Sequence, residues 1–174
     1  MNPTSDARAA AFSSLYEASY GAIHAYAVRR AGVGAADEIA AETFLIAWRR
    51  YDAIPKAKPL PWLYGVARNV TLRHHAATAR RQQAQDALER ERPIAVADVG
   101  TGDRRLWQAW ERLCLRDREV LALIAWEELT VSDAARVLGC SAPVFSVRLH
   151  RARRRLQQLL DLSVHCSQLS EATR

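Results

Sequence analysis

Between Ser141 and Arg155 the chain carries five arginines, Arg148, Arg151, Arg153, Arg154 and Arg155, and no acid. Phe145, Leu149, Ala152 and Leu156 recur at i, i+4, i+7 and i+11, the spacing of one helical face. The opposite face is left with Val144, Val147, Arg148, Arg151 and Arg155, flanked by Ser146, His150, Arg153 and Arg154. Such a surface suits the DNA major groove. A guanidinium forks onto phosphates and guanine edges, and an outward valine can meet a thymine methyl. Ser141 caps this helix, and Pro143 is tolerated in its first turn. Upstream, Thr130-Val131-Ser132-Asp133 has the form of a capping box, and the helix it opens stops at Gly139, a good C′ residue. Helix, short turn and capped second helix make a helix-turn-helix signature. The plainer reading is a solvated basic helix closing a small bundle. Caps, turn and charge asymmetry agree on the first.

A second acid-free stretch runs from Trp62 to Gln82, with Arg68, Arg73, Arg80, Arg81 and two histidines. It follows a loop, Asp52 to Pro61, that holds Pro55, Pro59, Pro61 and the chain's two lysines, Lys56 and Lys58. Three prolines in seven positions forbid a helix there. Trp62 and Tyr64 either stack on unpaired bases, with Arg68 and Arg73 holding the backbone, or pack in the core. Asn69 either reads an adenine or sits on a polar face.

Nothing in the sequence points to catalysis. His74 and His75 are adjacent and diverge on a helix, while His24, His150 and His165 have no ligand-spaced partners, so no metal site is expected. There is no Gly-rich phosphate loop, no G-x-S-x-G and no H-E-x-x-H, and no cofactor or small-molecule substrate is implied. Cys114, Cys140 and Cys166 are far apart, which reads as a reduced, cytoplasmic protein. Met1 to Ala10 has no apolar signal region, and no stretch approaches the roughly 18 apolar residues of a membrane span.

These surfaces must be held by helices. The 174 residues are 49% hydrophobic, with few Gly (7) and Pro (6), so the expected fold class is all-α. Phe12, Leu15, Tyr16, Tyr20, Ile23 and Ala27 predict a first amphipathic helix, ended by Gly32-Val33-Gly34. A second opens near Asp37 and runs through Ile39, Phe44, Leu45 and Trp48 to about Tyr51. A third starts at about Pro61. Residues 82–103 hold five acids against two arginines, a charge of −3, and read as a flexible acidic linker. Leu106, Trp107, Trp110 and Leu113, then Val120, Leu121, Leu123 and Ile124, predict two more helices before the helix-turn-helix. The expected layout is a domain over 1–81, a linker over 82–103, a helix-turn-helix domain over 104–160 and a tail over 161–174. Net charge is +6, with 23 of 25 basic residues arginine. A GC-rich genome accounts for that excess, so position is more telling than number.

Four motifs in order carry a resemblance: Asp37-Glu38-Ile39-Ala40-Ala41-Glu42-Thr43-Phe44 with Trp48; Pro61-Trp62-Leu63-Tyr64-Gly65-Val66-Ala67-Arg68-Asn69; Arg116-Asp117-Arg118-Glu119-Val120-Leu121; and Leu149-His150-Arg151-Ala152-Arg153-Arg154-Arg155-Leu156. The chain resembles the extracytoplasmic-function sigma factors of bacterial RNA polymerase over about Phe12 to Arg81 and Arg104 to Leu160. The resemblance implies that Asp37, Glu38, Glu42 and Arg49 contact the clamp helices of the polymerase β′ subunit. It also implies that Lys56, Lys58, Trp62, Tyr64, Arg68, Asn69 and Arg73 take the minus-ten strand as it opens. Ser141, Val144, Ser146, Val147, Arg148, Arg151 and Arg155 would face the minus-thirty-five duplex, with that domain resting on the β flap. The two DNA sites would lie roughly 85 Å apart at 34 to 36 Å per duplex turn. A 22-residue linker extends to roughly 75 Å at most, and two small domains complete the span.

Departures from the family pattern fall on the reading surface, where Ser146 stands for a frequent Lys, Val144 and Val147 for Thr and Ser, and Pro143 for Gly. Cys114 and Leu115 replace a usual pair of prolines, Arg73 a frequent Asp and His75 a frequent Leu. The resemblance implies a dissociable initiation factor with no enzyme activity of its own, and family members are commonly held by an anti-sigma factor. Two other readings are open: a stand-alone dimeric helix-turn-helix regulator, which predicts a palindromic site, and a helical interaction protein, which predicts no salt-dependent DNA affinity.

Overall fold

A computed structural model describes the backbone of residues 3–86 and 104–171, and the side chains of residues 6–81 and 104–162. The described residues form seven α-helices and one 3-10 turn, with no strand among them. The chain divides into two compact units, Met1–Ala97 and Asp98–Arg174.

In the first unit α1 (Pro3–Ala31), α2 (Val33–Arg49) and α3 (Pro59–Asp86) pack pairwise against one another. The stripe on α1 works as its spacing predicts at Ile23 and Ala27, which are fully buried together with Tyr26. Ile39 and Phe44 of α2 and Leu63, Ala67 and Val70 of α3 are buried as well, and Ala27, Ala35, Ala36, Ile39 and Val70 form one cluster across the three helices. Burying one such large side chain stabilises the fold by about 1.5 to 3 kcal/mol. Thr43 and Thr71 sit in this core without leaving a polar orphan, because each hydroxyl donates one turn back, to Ile39 O at 2.7 Å and Ala67 O at 2.8 Å.

Gly32 joins α1 to α2 with φ +81°, a backbone conformation that a side chain would strain. Its N–H still bonds Val28 O at 2.9 Å, so α2 begins at Val33, about one turn before the expected Asp37. The start signal was the glycine rather than the acid. After α2 the chain makes the 3-10 turn, Tyr51–Ala53, and buries Ile54 before exposing Pro55 to Lys58. α3 then runs to Asp86, five residues into the segment expected to be linker, because Gln82 to Asp86 contain nothing that breaks a helix. Residues 87–103 lie outside the described residues.

The second unit holds α4 (Arg104–Arg112), α5 (Leu115–Ala125), α6 (Val131–Val137) and α7 (Ala142–Glu171). α7 packs on each of the other three. Phe145, Leu149 and Ala152 are buried and Leu156 half-buried, as the periodicity predicts. The helix does not stop at Leu160; it continues to Glu171 through the segment expected to be a tail.

The turn between α6 and α7 follows its caps. Thr130 Oγ1 accepts from the Asp133 backbone N–H at 3.2 Å, the N-cap half of the expected capping box, and donates to the Asp133 carboxylate at 2.8 Å. Gly139, at φ +64°, closes the far end. Its N–H reaches Arg136 O at 3.1 Å and that of Cys140 reaches Ala135 O at 3.0 Å, the paired bonds of a Schellman motif. Glu128 alone among the described non-glycine residues takes a positive φ, +51°, in the turn after α5.

Candidate nucleic-acid interface

α7 presents its expected reading face to solvent. Val144 is 44% exposed and Val147 51%, and Ser141, Ser146, Arg148, His150, Arg151, Arg153 and Arg154 are exposed around them. Because the opposite face is core, the first turns of α7 are fixed in rotation, and with them the direction in which this face leaves the helix. Two exposed valines beside arginines fit a groove that offers methyl groups and acceptors together.

Arg155 differs from the rest of that face. Its Nη1 donates to Asp117 Oδ2 at 2.6 Å, tying α7 to α5. The hydrogen bond to Asp117, reinforced by its charge, raises the Arg155 pKa above its ordinary value. Asp117 is itself buried, so this guanidinium first serves the fold by satisfying a carboxylate held away from water. That pair, which joins two helices and is invisible to periodicity, gives Arg155 a role in the fold beside the duplex-facing one expected of it.

In the first unit the expected strand-binding residues separate by environment. Tyr64 is only 4% exposed, with its ring centroid 5.3 Å from that of Tyr26. It is a core residue, and the reading in which it stacks on bases is corrected. Its position one residue after Leu63 places it at the edge of the same buried face. Trp62 is half-buried, Arg68 half-buried, and Lys56, Lys58 and Asn69 are exposed. Arg73 is exposed and bonds Glu42 across α3 and α2 at 2.8 Å. A position expected to face DNA thus pairs with one expected to face polymerase. His75 turns back as well, donating from Nε2 to Arg30 O at the end of α1, 3.0 Å away.

On α2, Asp37 and Glu38 are exposed near its start, Glu42 is half-buried and Arg49 is exposed at its end. Asp37 Oδ1 accepts from the Tyr20 hydroxyl at 3.3 Å and lies 3.2 Å from His24 Nε2, while the side chain stays 82% exposed. Burial and then the Asp37 carboxylate push the Tyr20 hydroxyl above its ordinary pKa. Rings continue along the same seam, Tyr16 lying 4.7 Å from Phe44 and 5.2 Å from Tyr20.

Residues 15–91 match Sigma-70 region 2 and residues 103–156 match Sigma-70, region 4. The chain is 29% identical over 165 residues to the RNA polymerase sigma factor NccH of Alcaligenes xylosoxydans xylosoxydans, covering 88% of each chain. It is 28% identical to the ECF RNA polymerase sigma factor EcfG of Rhodopseudomonas palustris (strain TIE-1), covering 79% of this chain and 78% of the relative.

The chain belongs to the extracytoplasmic-function sigma factors.

Among solved structures, this sigma factor is similar to the sigma factor RpoE in its complex with the anti-sigma factor NepR from Bartonella quintana. The TM-score is 0.67 at 27% identity, covering 86% of this chain and 96% of that one. No helix among the described residues of this sigma factor is long and apolar enough to cross a membrane.

Proposed function

We propose that this sigma factor binds core RNA polymerase in the cytoplasm and directs promoter-specific initiation, reading the minus-thirty-five element as duplex and opening the minus-ten element. The observation that carries the reading is the outward row on α7, Val144, Val147, Arg148 and Arg151, on a helix whose other face is core. Base-edge contacts near the start of α7 would set sequence, and arginines farther along would hold phosphates. The Ser146, Val144 and Val147 departures suit a methyl-rich element.

For the first unit, Lys56 and Lys58 on the loop and Trp62, Arg68 and Asn69 on α3 would take the opened strand. Unstacking a base costs a few kcal/mol, offset by contacts in the loop. Asp37, Glu38, Glu42 and Arg49 on α2 would meet the β′ clamp helices, and the second unit would rest on the β flap. The Arg73–Glu42 pair does not oppose this, since an exposed pair is worth about 0 to 1 kcal/mol and either partner can be drawn away. An anti-sigma factor is proposed as a further partner, because the similar RpoE was solved bound to NepR. The factor would supply recognition and melting, and polymerase all of the chemistry.

Selection of promoters from random DNA with reconstituted holoenzyme tests the reading. The expected product is a bipartite site with its elements about two and a half duplex turns apart. Enrichment of a palindrome in the absence of core polymerase would contradict it.

A further inference from the structure

Arg8 lies on α1 outside every motif, yet it touches the far end of another helix. Its Nη2 donates to Trp48 O in the last turn of α2 at 2.8 Å, and its Nη1 stands 3.9 Å from Asp52 Oδ2. The guanidinium carbon is 5.1 Å from the Trp48 ring centroid and 5.4 Å from that of Tyr51. One turn along α1, Phe12 meets the same two rings edge-on, at 5.1 Å and 6.1 Å.

Each contact answers a local need. The last carbonyls of a helix lack intrahelical partners and carry partial negative charge, so a cation that donates there is favoured twice. The flat face of the guanidinium suits an aromatic ring in a way that an ammonium does not. The Asp52 contact adds little, because that carboxylate is almost fully exposed. What Arg8 joins is therefore the end of α2 and the 3-10 turn, Tyr51–Ala53, from which the chain passes buried Ile54 into the exposed segment Pro55 to Lys58.

We infer that Arg8 is a positioning residue for promoter opening: it fixes the base of the loop from Ile54 to Lys58, between the 3-10 turn and α3, and so the direction in which that loop leaves the unit. The inference rests on the proposed role of the loop in taking the minus-ten strand. A captured base must arrive at a loop already in place, and a loose base spreads the loop over orientations that do not capture.

The test uses the full chain, as Arg8→Ala, Arg8→Lys and Trp62→Ala, reconstituted with core polymerase on a promoter enriched by the wild-type holoenzyme. Opening is read from permanganate reactivity of minus-ten thymines, and core affinity from fluorescence anisotropy. Arg8→Ala is expected to bind core within about two-fold of wild type and to open the promoter about ten-fold more slowly. Arg8→Lys keeps the charge but not the planar fork, and should recover only part of the loss. Core affinity falling in proportion to opening would make Arg8 a general stabiliser and overturn the inference. Wild-type opening by Arg8→Ala beside slow opening by Trp62→Ala would overturn it while leaving the loop's role intact. Wild-type opening by both would overturn the loop's role and this inference with it.

Discussion

The two cationic surfaces of this sigma factor are built on different plans. On α7 the proposed duplex-reading side chains stand in one row on a single helix whose opposite face is buried. In the first unit the proposed strand-binding residues are divided between an exposed loop and a helix that also supplies core, and several are engaged by neighbours: Tyr64 with Tyr26, Arg73 with Glu42. The difference suits the two tasks. Duplex DNA offers a fixed groove that a rigid row can match, whereas an opening strand has no fixed shape until the loop holds it.

The largest expected effect separates core from contact within α3. Tyr64→Ala should destabilise the first unit by about 3 to 5 kcal/mol in denaturant unfolding, as for other buried aromatics. Slow promoter opening with unchanged stability would return Tyr64 to the contact set and make the two surfaces more alike. Next comes a contrast within α7. Arg148→Ala should weaken binding by about 1 to 3 kcal/mol and relax preference at one base position without lowering the melting temperature. Arg155→Ala should instead lower the melting temperature of the second unit, since it strands the buried Asp117 carboxylate. Because the Arg155 pKa is raised, its contribution is complete below its ordinary value and is lost only as pH rises through the raised one. Neutral and acidic melts should therefore show no titration from Arg155 itself.

Smaller effects test whether the rigidity of the α7 row depends on the turn that precedes it. Thr130→Ala removes the acceptor for the Asp133 N–H and should cost about 1 kcal/mol in thermal unfolding. Smallest is a gain. Glu128→Gly relieves a side chain at φ +51° and should stabilise the second unit by about 0.5 to 1 kcal/mol. An unchanged or lowered melting temperature would mean that the Glu128 side chain contributes more than its backbone strain costs.

The two surfaces also differed in how far they could be read in advance. Phe145, Leu149 and Ala152 repeat along one helix, and Thr130 and Gly139 act on backbone groups three or four residues away, so local spacing carries the helix-turn-helix. Tyr64 had two open readings because a residue beside the buried stripe can turn either way, and the neighbour that decided it, Tyr26, is on another helix. Arg155 and Arg73 were incompletely read for the same reason, their partners being 38 and 31 residues distant. Asp37 looked like the start of α2 because an acid favours that end, but Gly32 had already turned the chain. Arg8 gave no signal, since one arginine in the first ten residues forms no pattern.

Run-off transcription with core polymerase and the added full chain, on a promoter enriched by selection, separates a polymerase-dependent initiation factor from a stand-alone DNA-binding protein. The expected result is a start-specific transcript that requires the chain and is reduced by Arg148→Ala. Specific duplex binding without core, together with no transcript from any enriched site, would contradict it.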